Sequence, residues 1–378
     1  MRRRLLLKRK YNIDNYVFKG ICTKPLVNIY WGAGVGPDTI HYADNGDGTY
    51  TYYAINVNGA KQWWDRFVWY NSNNVKTLEV NPNVEVFDTR NNRFGSTIIE
   101  SYNFNGVKVR SKNCSETFYT CHNIETIDVS SWNMVNNTNF YAMFAANVDR
   151  TTDTKLKTVK LPANCGTKAT STAKMFAWNR GLENITGMTT VDFSNVTNFS
   201  EMFCENIKLK NVDFTIDGWV TSAATDIHSM FLKCTALDFS KIGDFKTWDV
   251  SNVTDVSGLF ANNNAEYLDL SGWDLRNCSN FQLMFVDDMV NNLKGLVLSN
   301  WQMDTTKQAQ YEGMFMGCTQ LKSITLKGCT TEVVDFFKAK LLNDIFDTVK
   351  SGNLLLILDD GTYKYDSGSS SWVVATTS

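Results

Sequence analysis

Proline and histidine are nearly missing from this 378-residue chain, which has four of the one and three of the other. So few prolines leave no room for a proline-rich linker architecture. His41, His122 and His228 stand in no metal-ligand spacing, so neither a histidine metal site nor a histidine acid–base centre has support in the pattern. Charge of one sign is scarce as well: the formal net charge is −2, which gives no bulk attraction to nucleic acid or to an anionic membrane. No apolar run approaches the roughly 18–20 residues that span a bilayer. The basic start (Arg2, Arg3, Arg4, Lys8, Arg9, Lys10) encloses only Leu5-Leu6-Leu7, short of the apolar stretch of about 7–15 residues in a secretory leader. The nine cysteines are odd in number and contain no CxxC pair, so buried free thiols are expected in place of a zinc site or a disulfide framework.

Familiar catalytic patterns are also missing. There is no GxSxG and no Walker A sequence, and Gly32-Ala33-Gly34-Val35-Gly36-Pro37 runs into proline where a phosphate-cradling loop would run into a helix. Asp44-Asn45-Gly46-Asp47-Gly48 has the look of a calcium loop but lacks its closing glutamate, and reads as a turn. The expectation is a protein without catalytic residues, cofactor or metal.

What the chain does have is a repeat. Met-Phe or a close variant recurs with Phe at 118, 144, 176, 203, 231, 260, 285 and 315, at intervals of 26, 32, 27, 28, 29, 25 and 30 residues. Four residues before the Phe stands another apolar residue (Phe140, Phe199, Ile227, Val256, Phe281, Tyr311), the i, i+3, i+4 spacing of one helix face. Thr138-Asn139, Thr197-Asn198, Thr225-Asp226, Thr254-Asp255 and Ser279-Asn280 precede it and suit a helix N-cap. The spacing therefore predicts one or two capped helical turns per repeat. Beyond the Phe, Ile124/Ile127/Val129, Leu209/Val212/Phe214 and Leu321/Ile324/Leu326 alternate as a short strand with one buried face, and Leu156/Val159/Leu161 and Leu293/Leu296/Leu298 repeat this. Trp132, Trp219, Trp248, Trp273 and Trp301 follow the strands, a column expected to pack and to stack edge-to-face on the convex side. One turn and one strand cannot bury their apolar faces alone, whereas stacked copies can. The result is an α/β solenoid.

The stretch from Trp248 to Phe260 (WDVSNVTDVSGLF) closely resembles the repeat of BspA-like leucine-rich-repeat surface proteins, and Ser194–Phe203 and Leu268–Asp274 are further copies of parts of it. The resemblance covers about residues 114–330, with Cys121, Cys234 and Cys318 at the family's cysteine position. It implies a right-handed leucine-rich-repeat solenoid and a role in adhesion or recognition, and brings no catalytic residues.

Four segments follow: a basic arm (1–10), a β-rich unit (11–110) whose end may be read as joining the coils, the solenoid (111–330), and a C-terminal cap (331–378). In the second of these, residues 27–31, 49–57, 66–70, 75–80 and 97–104 alternate as strands, with a hairpin turn at Asp47-Gly48. The cap combines a helix over 331–350, with Thr331 as its N-cap, and a meander over 354–358, 362–365 and 372–374.

Three surfaces are candidates for binding. Asp128, Lys160, Asp192, Asp213, Asp238 and Asp269 form an outward column of the strands; each carboxylate serves either its own turn or a basic partner. Trp63, Trp64, Trp69 and Tyr70 form an aromatic patch suited to sugar stacking or to core packing. Arg2, Arg3, Arg4, Lys8, Arg9 and Lys10 form a docking arm, the one place where an acidic lipid, nucleic acid or partner subunit would be held. Seven N-x-S/T sequons occur, Asn195, Asn252 and Asn277 among them, and several coincide with the capping turn of the repeat, which explains them without glycosylation. The reading that follows is a structural or recognition component of a phage virion, tail- or head-associated. Its partners would be other virion proteins or a host-surface protein or glycan, with no membrane span, and it is compatible with a homo-oligomer. The alternatives are a bacterial cell-surface adhesin and, less favoured, a glycan-acting enzyme.

Overall fold

The structure, a computed structural model, describes residues 13–25, 28–31, 40–55, 67–70, 74–83, 87–88, 98–106, 109–110, 113–121, 123–146, 154–163, 165–213 and 215–375. The chain divides into two compact units, Met1–Asp192 and Phe193–Ser378. Each contains coils of a β-solenoid with little helix. The basic arm, His122, Phe214, the glycine-rich run and the Trp63-Trp64 pair lie outside the described residues.

The first unit opens with strands β1 (Tyr16–Cys22), β2 (Asn28–Trp31), β3 (Ile40–Asp44), β4 (Tyr50–Ile55), β5 (Phe67–Tyr70), β6 (Thr77–Val80), β7 (Phe87–Asp88), β8 (Ser101–Asn103) and β9 (Val109–Arg110). Five of them form a sheet in the order β3-β4-β1-β6-β8. Phe18, Tyr52, Leu78 and Val80 are buried in it, and the Tyr52 hydroxyl donates to the Thr77 carbonyl at 3.1 Å. The β3–β4 hairpin turns at the expected Asp47-Gly48: the Asp44 carboxylate accepts from the Gly46 amide at 2.8 Å and Asp47 from the Thr49 amide at 2.9 Å. β1 and β3 had no counterpart in the alternation reading. Pairing is antiparallel through β3, β4, β1 and β6, then becomes parallel at β6–β8 and β7–β9, the sense required for stacked coils.

The coils of the first unit carry β10 (Thr126–Asp128), β11 (Thr158–Lys160) and β12 (Asn184–Thr186) as a parallel ladder. Those of the second carry β13 (Asn211–Val212), then, after a stretch of turns, β14 (Tyr267–Asp269), β15 (Gly295–Val297), β16 (Ser323–Thr325) and β17 (Leu355–Ile357), the last four again parallel. The coil around Leu237-Asp238-Phe239 has no strand, only a turn. The parallel sheet of the second unit is therefore interrupted, not continuous as its repeat suggested.

The largest departure from expectation lies in the Met-Phe segments, which are not helical. Two residues before the Phe, the backbone is left-handed in every repeat: φ is 54° at Glu116, 49° at Ala142, 58° at Lys174, 54° at Glu201, 52° at Ser229, 60° at Gly258, 56° at Leu283 and 61° at Gly313. A right-handed helix cannot contain such a residue. The segment is instead a ribbon of consecutive turns in which amides alternate between two kinds of partner. In the first unit the amides of Phe140, Ala142, Phe144 and Ala146 donate to Ser171, Ala173, Met175 and Ala177 of the next coil, whereas those of Met143 and Ala145 close turns onto Phe140 and Ala142. In the second, Val256, Gly258, Phe260 and Asn262 donate to Asn280, Gln282, Met284 and Val286. The ribbon keeps the apolar spacing of a helix because Met and Phe both still face inward. They are buried in every repeat, Phe118 and Met314-Phe315 included.

The phenylalanines stack into columns. Centroids lie 5.5 Å apart for Phe118–Phe144 and for Phe144–Phe176 in the first unit. In the second they lie 5.7 Å apart for Phe203–Phe231, 6.1 Å for Phe231–Phe260 and 6.2 Å for Phe260–Phe285. The tryptophans are also buried, but face to face where edge-to-face contact was expected: Trp219–Trp248 and Trp273–Trp301 have interplanar angles of 11° and 1°. The Nε1 of Trp273 and of Trp301 donates to the Phe245 and Leu270 carbonyls. In five repeats the side chain three residues after the Phe serves a phenylalanine carbonyl. Asn179, Asn206 and Asn263 donate an amide to it, and Cys234 and Cys318 donate a thiol, at 3.2 and 2.9 Å, to the Phe203 and Phe285 carbonyls of the preceding coil.

The second unit ends in helices α1 (Thr331–Asp344) and α2 (Phe346–Lys350) and strands β18 (Thr362–Asp366) and β19 (Ser371–Val374). Thr330, not Thr331, caps α1 by accepting from the Val333 amide. Phe337 packs edge-on against Trp301 and Phe315, and Asp344 accepts from the Phe315 amide at 3.0 Å while paired with Lys340. β17 pairs antiparallel with β18, and β18 with β19.

Two predictions follow from this architecture. A non-glycine residue in the left-handed region costs about 1–2 kcal/mol, and the extra chain entropy of glycine returns part of that. Ser229→Gly should therefore raise the melting temperature, and Gly258→Val should lower it, since its Cβ would also stand 3.0 Å from the Ser229 Oγ; thermal unfolding of the two variants checks both signs. Eight of the nine cysteines are buried, and burial pushes the thiols up, Cys165 to about 12 and Cys278 to about 11. Ellman's reagent should rapidly find no more than the half-buried Cys329 in the native protein and all nine thiols in denaturant.

Candidate functional site

The outward column proposed from sequence resolves into separate local arrangements. Asp128 on β10 lies opposite Lys160 on β11, and their side chains pair at 3.1 Å. The next residue of that ladder is Thr186, not Asp192, which follows a short 3-10 turn and donates its amide to the Cys165 carbonyl. Asp213 follows β13, and Asp238 begins a turn. Asp269 ends β14, opposite Val297. The carboxylates are thus not stacked on one another. Cations are interleaved instead: Lys157 pairs with Glu125 at 3.2 Å and Lys294 with Glu266 at 2.8 Å, while Lys246 reaches both Asp244 and Asp269. Like charges placed directly opposite would destabilise the ladder, and this alternation removes that cost.

Three of these carboxylates also close their own turns. Asp128, Asp238 and Asp269 accept from the amide and the hydroxyl of the serine two residues on, with O···O distances of 2.6, 2.6 and 2.5 Å. Asp249 accepts likewise from Ser251 after the Trp and Asp304 from Thr306 at the following corner, while Asn139, Asn198, Asp226, Asp255 and Asn280 accept from the amide two residues on at the start of the turn ribbon. These are Asx turns, in which a short polar side chain holds a corner that the backbone could not close alone. The residues expected to cap helices are acceptors as predicted, but the amides they serve belong to turns. Asn252 and Asn277, two of the sequons, donate their side-chain amides to the Ser222 and Ser251 carbonyls.

Of the aromatic patch, Trp69 and Tyr70 are placed by their backbones on β5, opposite Ile29 and Asn28 of β2. The neighbouring Tyr52 and Tyr53 are buried in the sheet. His228 lies between two carboxylates: its Nδ1 is 2.7 Å from Asp226 and its Nε2 3.6 Å from Glu201. Asp226 first, then Glu201, hold the imidazolium and push its pKa up to about 10. A histidine charged at neutral pH cannot act there as a general base.

A groove of about 320 Å³ opens on the turn ribbons of the second unit. Ser229, Gly258, Leu283 and Met316 from four successive coils line it, with Val286 and Asp288. Leu283 is 42% exposed and Met316 44%, unusual for large apolar side chains in coils that bury nearly all others. Gly313 lies against Leu283, and a Cβ there would stand 2.8 Å from Leu283 Cδ2. The wall bearing Asp288 and Met289 is fixed from beneath. The buried Asp287 carboxylate accepts from the amides of Asn291, Asn292 and Leu293, and Asn262 Oδ1 accepts from the Met289 amide. The sequence reading missed this groove. Its signal was there in the left-handed column, where Leu283 stands among glutamate, lysine, serine, alanine and glycine.

With this geometry in hand, the chain can be set beside known proteins. Over residues 59–165, 170–301 and 239–344 it matches the family described as "Mycoplasma protein of unknown function, DUF285". The chain belongs to the DUF285 family. Two of the DUF285 matches overlap over 239–301, as expected of a self-similar array on which one pattern fits in more than one register. No curated protein and no solved structure matches the chain. The matched DUF285 spans include the turn ribbons, the Asx corners and the groove of the second unit.

The Asx corners predict an acid dependence. Partial burial raises the Asp128 and Asp269 pKa values, but the serine donors with Lys160 and Lys246 outweigh it and leave both carboxyls below their ordinary range. A lowered folded pKa means stability that is present above the unfolded value of about 3.9 and is lost as pH falls through the folded one. The Asp128→Asn/Asp269→Asn variant, which keeps the acceptor oxygens, should lose less stability than wild type as the pH falls below about 4. Parallel denaturant titrations at neutral and acid pH would show this, and equal losses would contradict it.

Proposed function

We propose that the chain is a non-catalytic recognition scaffold of the right-handed, BspA-like leucine-rich-repeat type, displayed at a bacterial surface. The observation that carries this is the use of polar side chains. Asp128, Asp238, Asp255, Asp269 and His228, the groups from which an acid–base centre would be drawn, are held in turn bonds or ion pairs that maintain the coils. What the surface offers is shape and apolar contact, concentrated at Leu283 and Met316. A rigid array with variable outward positions suits binding. On this reading, α1 and β17–β19 are the C-terminal cap that covers the last apolar layer.

The family description names Mycoplasma and so favours a cellular setting. The virion setting draws no comparable support from it. The ligand on this reading is a protein or glycan of a neighbouring cell surface.

Intact producing cells probed with antibody against the chain should stain at their surface. Purified protein should bind target cells saturably and release no sugar or peptide from them. Label confined to phage particles or to the cell interior would sink the surface reading, and any measurable turnover would sink the non-catalytic one.

A further inference from the structure

The second-unit groove has a chemistry that matches one segment of this chain. Its lining is mainly apolar, led by Leu232, Ala261, Leu283, Val286 and Met316, with Ser229, Ser257, Asn262 and Gln282 as neutral polar members. No cation is among the residues that line it, and Asp288 is. Carboxylates flank it: Asp255 is tied to the lining Ser257, and Glu312 lies 3.5 Å from the lining Gln282. An apolar slot rimmed by negative charge favours a short apolar segment set between cations. Arg2-Arg3-Arg4-Leu5-Leu6-Leu7-Lys8-Arg9-Lys10 is such a segment, with three leucines between two triplets of positive charge. It holds six of the chain's 37 Lys and Arg residues, so the rest of the chain is distinctly acidic.

We propose that the groove between Gly258 and Met316 is the docking site for the Arg2–Lys10 arm of a second copy of this chain, so that the protein self-associates arm into groove. The inference rests on the binding role proposed above and names one partner for that face. Such a contact is heterologous, with one surface donating and another receiving, and it builds closed rings, of which reciprocal exchange between two copies is the smallest, or open chains. A groove of this size gives a small interface, at the weak end of specific association. Asp288 and Glu312 are exposed and the arm carries six cationic side chains, so association is expected to weaken with salt.

Sedimentation equilibrium of the full chain over a range of concentrations tests this. The expected result is an average mass that rises with concentration and falls back at high salt. Leu283→Asn/Met316→Gln should abolish the rise. Both side chains are exposed and asparagine tolerates the left-handed backbone at 283, so this variant should keep the wild-type melting temperature. Leu5→Ser/Leu6→Ser/Leu7→Ser should abolish the rise as well, and an excess of a synthetic peptide of residues 1–10 should return wild type to monomer. A mass that stays monomeric at every concentration overturns the proposal. So does association that survives either variant, and loss in the groove variant alone would give the groove to another occupant. Binding of the monomeric groove variant to target cells would leave the recognition role standing while this assay fails, so the two readings can be told apart.

Discussion

Every coil depends on one alternation in its backbone. Within each unit, between successive Met-Phe ribbons every second amide donates to a carbonyl of the next coil, and the amides between them close turns within their own. Beyond its first turn a helix directs its amides along its own axis and leaves neighbouring coils joined mainly by side chains. The left-handed residue two before the Phe directs half of the donors sideways, so this segment is as much a part of the stacking as the strands are. In the stretch of the second unit between β13 and β14, where strands lapse, the ribbon ladder runs on unbroken from Ile227–Asp255 to Val256–Asn280.

The cost of that alternation is conformational, and the sequence meets it only in part. Glycine, the residue suited to φ near +60°, stands at 258 and 313 alone among the eight repeats. Elsewhere serine, glutamate, lysine, alanine and leucine accept strain of about 1 kcal/mol each. Compensation comes from the burial of Met and Phe in each coil, at about 1.5–3 kcal/mol per side chain, and from the phenylalanine columns they build. Polar side chains supply the rest of the definition. The Asx corners fix where each coil bends, and the asparagine or thiol three residues after the Phe completes a carbonyl that the ribbon leaves exposed to the core.

Much of this was legible in the sequence and some of it was not, for a physical reason. The repeat, its inward Met, Phe and Trp, and five of the short strands can be read from spacing, because burial is what spacing records. The ribbon cannot, because an i, i+3, i+4 apolar pattern is common to a helix and to consecutive turns. What separates them is the sign of φ at Glu201 or Ser229, and neither residue type advertises it. The same limit misplaced Asp192. The Leu182/Ile185/Met188 pattern that makes β12 ends in methionine and is followed by an extra turn, so an outward column counted to the next Asp lands one corner too late. Asparagine at 179, 206 and 263 and cysteine at 234 and 318 hold one position without sharing a size or a hydropathy. Only their common ability to donate to a carbonyl links them, and that becomes visible once the carbonyl is placed.

The candidate site follows from the same constraint. Apart from the buried Ala142, a non-glycine left-handed residue projects its side chain from the ribbon away from the core, so that position is open to change without loss of the stack. In the second unit it is occupied in turn by Glu201, Ser229, Gly258, Leu283 and Gly313: charge, hydroxyl, nothing, a large apolar group, nothing. The groove lies beside Leu283 where Gly258 carries no side chain, and its character is set by that one column together with the residues just after each Phe (Leu232, Ala261, Val286, Met316). A solenoid built this way separates what holds it together from what it presents. The inward columns are nearly invariant along the chain because each must stack on the next. The outward column beside them can hold an acidic, polar or apolar surface with the same backbone, and a binding face is therefore to be sought there before it is sought on strands whose charged residues are already engaged with one another.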